Sequence, residues 1–138
     1  MSSYVIRGAR LLGNDPVDIA FTDGVITAIG SGAAGDVEID GTGLVTLPGL
    51  VDLHTHVREP GREDAETVLT GSRAAARGGF TCVHAMANTE PVADTAGVVE
   101  QVWRLGREGG YCDVQPIGAV TVGLQGTQLA ELGAMADS

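Results

Sequence analysis

The feature that most constrains this chain is an apolar segment that ends in two histidines. In residues 47–60, Pro48-Gly49 marks the start of an apolar run with Leu50, Val51 and Leu53, and the segment ends in polar residues from Arg58 onward. Such a run predicts a buried β-strand. Residues two apart in a strand share a face, so Asp52, His54 and His56 are expected to point the same way.

The histidine pair predicts a metal site. Neutral imidazole is the commonest protein ligand for metals. Three polar groups on one face of an apolar strand indicate a face that lines a site, because unpaired polar groups are costly to bury. The alternative is a pair of satisfied surface or core histidines, since an H-x-H spacing occurs in both settings.

Residues 1–47 carry a pattern of short β-strands. Apolar runs lie at residues 4–10, 17–21, 25–29, 37–40 and 44–47. Asp23-Gly24 between two of these runs predicts a hairpin turn. No constellation of catalytic residue types occurs here, which favours a structural β-module.

From residue 48 onward, strand and helix patterns alternate. Further strands are predicted at residues 80–85 and 112–120. Helices are predicted at residues 63–77, 96–108 and 128–136. Asp94 and Thr95 are expected at the N-cap of the second helix. This order predicts parallel strands with right-handed crossovers. Residues 48–138 suffice for three strand–helix units, whereas a complete eight-stranded α/β barrel needs about 250 residues. A smaller open α/β domain is the alternative to part of a barrel.

Composition excludes some classes of function. The net charge of −10 argues against binding to nucleic acid or to anionic membranes. No apolar run reaches the length of a membrane span, and the N-terminus lacks a signal-peptide pattern. Cys82 and Cys112 lie in strand-like apolar sequence, which predicts reduced, buried thiols in a cytoplasmic protein, with a disulfide or a metal role as the alternative.

Residues 48–56 resemble the first-strand signature of the amidohydrolase superfamily. The continuation at 57–61, together with 70–75, 78–81 and 86–89, is similar to the class I dihydroorotases of bacteria. The resemblance covers essentially the whole chain. It implies an α/β fold in which residues 1–47 belong to an N-terminal β-sandwich module and residues 48–138 form the first three strand–helix units of a TIM-like (β/α)8 metal-dependent hydrolase barrel.

The resemblance also implies a function and a site. Dihydroorotases interconvert N-carbamoyl-L-aspartate and L-dihydroorotate in pyrimidine (UMP) biosynthesis, with two zinc ions per complete site. His54 and His56 would be metal ligands, and Arg58 and Asn88 would bind the substrate. No catalytic residue beyond the metal ligands is expected in this chain. The same resemblance implies a small-molecule substrate and the formation of a homo-oligomer. It also implies aspartate transcarbamoylase as a candidate partner.

Local chemistry leaves alternatives for several of these residues. Arg58 could pair with Glu59 or Glu63 in an exposed loop, and Asn88 could be a turn residue. Asp52 is either an acceptor that orients an imidazole or a paired interior carboxylate. His84, in the second strand, is expected to be packed rather than a ligand.

The sequence departs from the family pattern in two respects. Ala87 stands where many relatives have proline before Asn88. The later ligands of the family, namely a bridging acid, two further histidines and an aspartate that shuttles protons, are absent, so activity is expected of a complete protein and not of this chain alone. The rival functions are an allantoinase or hydantoinase, against which Arg58 and Asn88 argue, and a non-catalytic dihydroorotase-like scaffold, against which the retained histidine pair argues.

Overall fold

The computed structural model describes residues 2–138, which divide into two compact units. The first unit ends at Pro48 and the second comprises Gly49–Ser138. None of the helices in this described part of the chain is both long enough and apolar enough to cross a bilayer.

The first unit is one mixed β-sheet. Its strands are β1 (Ser3–Leu11), β2 (Pro16–Thr22), β3 (Val25–Ile29), β4 (Val37–Asp40) and β5 (Val45–Thr46). The order is β3-β2-β1-β4, and β5 also pairs with β1. The first three strands are antiparallel to one another, whereas β4 and β5 run parallel to β1. The predicted strands and the hairpin at Asp23-Gly24 are confirmed; both turn residues have positive φ.

This sheet buries little apolar surface on its own. Its core cluster is Val5, Ala20 and Ala33. Large apolar side chains remain exposed along the outer strands, among them Val25, Ile26 and Ile39. All five strands belong to one sheet in the residues that the structure describes, so the β-sandwich stays a prediction.

The second unit alternates strands and helices, as predicted. Its elements are β6 (Leu50–Thr55), α1 (Val68–Arg77), β7 (Phe80–Ala85), α2 (Ala96–Gly109), β8 (Asp113–Pro116), a 3-10 turn (Val122–Leu124) and α3 (Leu132–Ala136). The three strands are parallel in the order β6-β7-β8. Helix α1 packs on β7 and α2, and α2 packs on β8. The α/β class is therefore confirmed.

Valine and alanine fill the core between these layers. One cluster consists of Val57, Val68, Val83, Ala85, Val102 and Val114. A second cluster lies around Ala93, Val99 and Met135. At Gly106 of α2, an added Cβ would lie 2.6 Å from a side-chain carbon of Val114, so the close approach of α2 to β8 requires glycine there.

Three predicted element boundaries are wrong. Helix α1 begins at Val68 and not at residue 63, because Thr67 and Thr70 form a reciprocal capping box at its start. Strand β8 ends at Pro116, whose nitrogen cannot donate to a ladder, so it does not reach residue 120. Helix α3 begins at Leu132 and not at residue 128, because Leu129 instead bridges to Thr121 in an antiparallel pair.

The prediction that the first strand of this unit is buried is also wrong. Leu50, Val51 and Leu53 are 45%, 53% and 69% exposed. Strand β6 is the edge of the three-stranded sheet, and an edge strand has a neighbour on one side only. The apolar run after Pro48-Gly49 therefore predicted the strand correctly, but burial depends on the elements that pack against it.

The predictions for the two cysteines and for the N-cap of α2 are only partly confirmed. Cys82 and Cys112 are free thiols, as predicted, but both are half-buried and not buried. Burial raises the pKa of each thiol. Thr95 occupies the N-cap of α2 without a side-chain hydrogen bond. The Oδ2 atom of Asp94 instead accepts the backbone N–H of Gly123 at 2.7 Å.

An ion-pair network joins three strands of the first unit. The Arg7 guanidinium lies 2.8 Å from Asp18 on β2 and 2.6 Å from Glu38 on β4. The backbone N–H of Gly8, followed by the Arg7 guanidinium, holds the pKa of the Asp18 carboxyl below its usual value.

We expect Asp18→Asn to lower the thermal unfolding temperature at pH 7. A carboxyl whose pKa is lower in the folded state stabilises the fold above its unfolded pKa, and this contribution is lost as the pH falls below about 4. The difference from the parent protein should therefore shrink in calorimetry at pH 3. Asp15→Asn, in the exposed turn before β2, is the control. An Asp18→Asn deficit equal at both pH values would contradict the prediction.

Candidate functional site

The carboxyl ends of β6 and β7 place two loops side by side. Parallel neighbours end at the same edge of a sheet, and binding residues of α/β proteins lie at that edge. The N–H of Met86 donates to the carbonyl of Thr55 at 2.8 Å, just where both strands end. The N–H of Glu90 donates to the carbonyl of Pro60 at 2.9 Å. Two separate chain segments thus form one surface.

Gly61 permits this close approach of the two loops. Its φ is +110°, and an added Cβ would lie 2.5 Å from the carbonyl oxygen of Glu90. Neither the backbone angle nor the available space suits another residue.

The two predicted metal ligands lie next to each other at this edge. His54 is in β6, and His56 is the first residue after Thr55, where the strand ends. Their ring centroids are 5.1 Å apart with an interplanar angle of 63°. Both side chains are exposed. They are therefore accessible to a ligand and close to each other.

Asn88 fixes the proton on His56. The Nδ1 atom of His56 lies 2.8 Å from Oδ1 of Asn88. An amide oxygen only accepts, so Nδ1 is the donor, and in the neutral imidazole this tautomer leaves the lone pair on Nε2. Metal-bound histidines characteristically donate their other ring N–H in this way. The two residues that the sequence placed in different roles are thus brought into direct contact.

Arg58 and Asn88 line the same open cleft. The cleft has a volume of about 320 Å³, and its other lining residues come from both loops: Pro60, Arg62, Thr89, Glu90 and Val92. No ion pair of Arg58 occurs within residues 2–138. Glu59 Oε2 accepts the N–H of Val68 at 2.8 Å, and Glu63 Oε1 accepts the N–H of Gly61 at 2.9 Å. Both carboxylates expected as alternative partners of Arg58 therefore bind backbone groups.

Asp52 and His84 meet one step further into the sheet. The N–H of His54 donates to Oδ1 of Asp52 at 2.9 Å, and Nδ1 of His84 lies 3.3 Å from the carbonyl oxygen of Asp52. The N–H of His54 is the main cause that lowers the pKa of Asp52. Asp52 thus accepts from the backbone of His54 and not from an imidazole ring.

The donor set fits part of a metal site. Two neighbouring imidazoles, one with its proton fixed on Nδ1, suit a divalent cation such as Zn²⁺. Within residues 2–138, however, no group of three or more His, Cys, Asp or Glu side chains is placed to hold a metal ion. His54 and His56 therefore offer two neighbouring imidazole donors, and their role as metal ligands stays a prediction.

The residues that hold the loops were not predicted from the sequence. Glu59 binds the first N–H of α1, Gly61 permits the loop contact, and Asp94 binds Gly123. A glycine after proline was a visible turn signal. The two carboxylate contacts span nine and 29 residues, and no local pattern indicates them.

The fold resembles that of a hydantoinase of known structure. An L-hydantoinase from Arthrobacter aurescens superposes with a TM-score of 0.72 at 24% identity, covering 88% of this chain and 28% of that one. At this identity the likeness concerns the fold alone.

The family follows from the sequence comparison. The model of the family described as dihydro-orotase-like matches residues 43–138, so the chain belongs to that family. A dihydroorotase from Streptomyces coelicolor is 67% identical over 100% of this chain and 33% of its own length. A dihydroorotase from Leifsonia xyli is 63% identical over 99% of this chain and 32% of its length. The chain thus spans about a third of these relatives, and the family resemblance is confirmed.

We expect Gly61→Ala to destabilise the second unit, because the methyl group would meet the Glu90 carbonyl and the positive φ would be strained. The loss should be about 1–3 kcal/mol in urea unfolding. Gly97→Ala is the control, because nothing lies within 4 Å of an added Cβ at that helical position. Equal unfolding free energies for the two variants would show that the loop contact is unimportant.

Proposed function

We propose that this chain is the N-terminal part of a zinc-dependent dihydroorotase that interconverts N-carbamoyl-L-aspartate and L-dihydroorotate in pyrimidine biosynthesis. The observation that carries the proposal is the placement of His54, His56, Arg58 and Asn88 together at the ends of β6 and β7. The identity of 67% to the Streptomyces coelicolor dihydroorotase along the whole chain supports it.

The finer fold belongs to the same proposal. Strands β6, β7 and β8 would be the first three strands of a (β/α)8 barrel, and residues 1–47 would be part of an N-terminal β-sandwich module. The fold likeness to the hydantoinase supports this view. So does the apolar, exposed edge strand β6, which a further strand of a barrel would cover.

His54 and His56 would hold one of two zinc ions in the complete site, His56 through the Nε2 atom that its bond to Asn88 leaves free. A bound Zn²⁺ supplies hydroxide at neutral pH by lowering the pKa of its water to about 7. The remaining ligands and the proton shuttle would come from residues beyond this chain.

Arg58 and Asn88 would recognise the substrate from the shared cleft. A planar guanidinium binds a carboxylate through two parallel hydrogen bonds, and the substrate's free carboxylate is its natural partner. Because the amide oxygen of Asn88 accepts from His56, its NH₂ group is the part that can donate to substrate. Asn88 would thus link the metal ligand to the substrate. Homo-oligomer formation, association with aspartate transcarbamoylase and a cytoplasmic location stay predictions.

The test is an assay of dihydroorotate hydrolysis by the full-length protein that contains this segment, with and without a chelator. We expect activity that the chelator abolishes and Zn²⁺ restores. Hydantoin and allantoin are assayed in parallel. Faster turnover of either compound would assign the protein to that rival reaction, and a folded, zinc-loaded protein inactive on all three would favour a scaffold.

Arg58→Lys should raise KM for dihydroorotate about tenfold or more. An ammonium cannot reproduce a two-point contact, and a hydrogen bond to a charged group is worth about 1.5–3 kcal/mol. Arg62→Lys is the matched control, because Arg62 lines the same cleft but pairs with Asp64 at 3.1 Å. An unchanged KM in Arg58→Lys, or an equal rise in both variants, would remove Arg58 from substrate binding.

A further inference from the structure

The pairing of β6 with β7 loses its register beside the two histidines. Asp52 lies opposite Val83, whereas Thr55 lies opposite Ala85. Three steps along β6 therefore match two steps along β7. An extra residue of this kind is a β-bulge, which bends the strand, increases its twist and redirects side chains. His54 lies inside the bulge, and His56 follows it directly.

Side chains bind the backbone groups at this bulge. The N–H of His54 donates to Oδ1 of Asp52 at 2.9 Å. The carbonyl of Asp52 lies 3.3 Å from Nδ1 of His84 on β7. A backbone N–H inside a bulge needs a partner outside the ladder, and Asp52 provides one for His54. The bulge is thus held by one strong contact within β6 and one longer contact from β7.

We propose that Asp52 is a positioning residue for the metal site: its carboxylate oxygen holds the bulge that presents His54 and His56, and His84 supports the same bulge from β7. This inference rests on the proposed metal role of the histidines. Asn88 sets the ring of His56 through its Nδ1 atom, and Asp52 sets the backbone from which both imidazoles project.

Two other possible roles for Asp52 would require a different property of its side chain. A metal ligand or a purely electrostatic partner would need its negative charge. A residue that holds the bulge needs only an acceptor oxygen at the right distance from the His54 N–H. Asparagine keeps that oxygen and loses the charge, whereas glutamate keeps the charge and moves the carboxylate by one methylene. The two substitutions therefore separate geometry from charge.

The experiment measures Zn²⁺ affinity of the full-length protein by competition with a chromophoric chelator at fixed pH, with Zn²⁺ alone as the probe. We expect Asp52→Asn to bind within about threefold of the parent. Asp52→Glu should bind about tenfold or more weakly, the size of effect typical when a residue that supports a ligand is disturbed. The absorption spectrum of the Co²⁺-substituted protein should change in Asp52→Glu only. Asp113→Asn, an exposed change on β8 of the same sheet, is the control.

Three outcomes would overturn the inference. Weak binding by Asp52→Asn, or its failure to fold by circular dichroism, would show that the charge is required. Parent-like affinity and spectrum in Asp52→Glu would show that the position of the carboxylate does not matter. If Asp52→Glu is too unstable to assay, His84→Leu replaces it. Loss of the longer contact should weaken binding about two- to tenfold, and parent-like affinity there would contradict the inference.

His54→Ala separates this inference from the function on which it rests. If His54→Ala loses Zn²⁺ binding while both Asp52 variants keep the parent's Zn²⁺ affinity, the metal-site assignment stands and only the positioning role of Asp52 is rejected. Parent-like binding in His54→Ala would reject the metal site itself, whatever the Asp52 variants do.

Discussion

The parallel pairing of β6 with β7 is the constraint on which the rest of the site depends. His56 and Asn88 are 32 residues apart in the chain, yet their side chains meet at 2.8 Å because neighbouring parallel strands end at one edge. The backbone bond from Met86 to Thr55 closes the ladder, and the bond from Glu90 to Pro60 joins the loops beyond it. Without this pairing, the histidine pair and the Asn88 amide would lie on separate chain segments, with no shared cleft.

Carboxylates around the cleft mostly bind backbone N–H groups. Glu59 caps α1, Glu63 binds the N–H of Gly61, Asp52 binds that of His54, and Asp94 binds that of Gly123. These contacts satisfy donors at the places where loops and helices begin. A net charge of −10 means that the chain carries many carboxylates that are candidate metal ligands. These acidic side chains instead bind the backbone, and among them Asp52 binds the N–H of a histidine, His54.

How much could be predicted depended on the range of the interaction concerned. The order of strands and helices followed from local periodicity, since alternating apolar residues and glycine turns act within a few residues. The start of α1 was missed because its capping box and the Glu59 contact outweigh the helix propensity of the residues before it. The burial of β6 was wrong because exposure depends on which elements lie beside a strand, and Leu53 remains 69% exposed at the edge of its sheet.

The sequence by itself determined the α/β order, the family and the identity of the candidate site residues, because these reside in local patterns and in a motif with specific residue types. Only the tertiary structure decided how those residues act on one another. The bond between His56 and Asn88 and the bulge at His54 depend on the pairing of β6 with β7. The backbone contacts of Glu59 and Asp52 depend on how the folded chain places each carboxylate. Hydrogen bonds act over about 3 Å, so only the folded chain determines which of these groups meet.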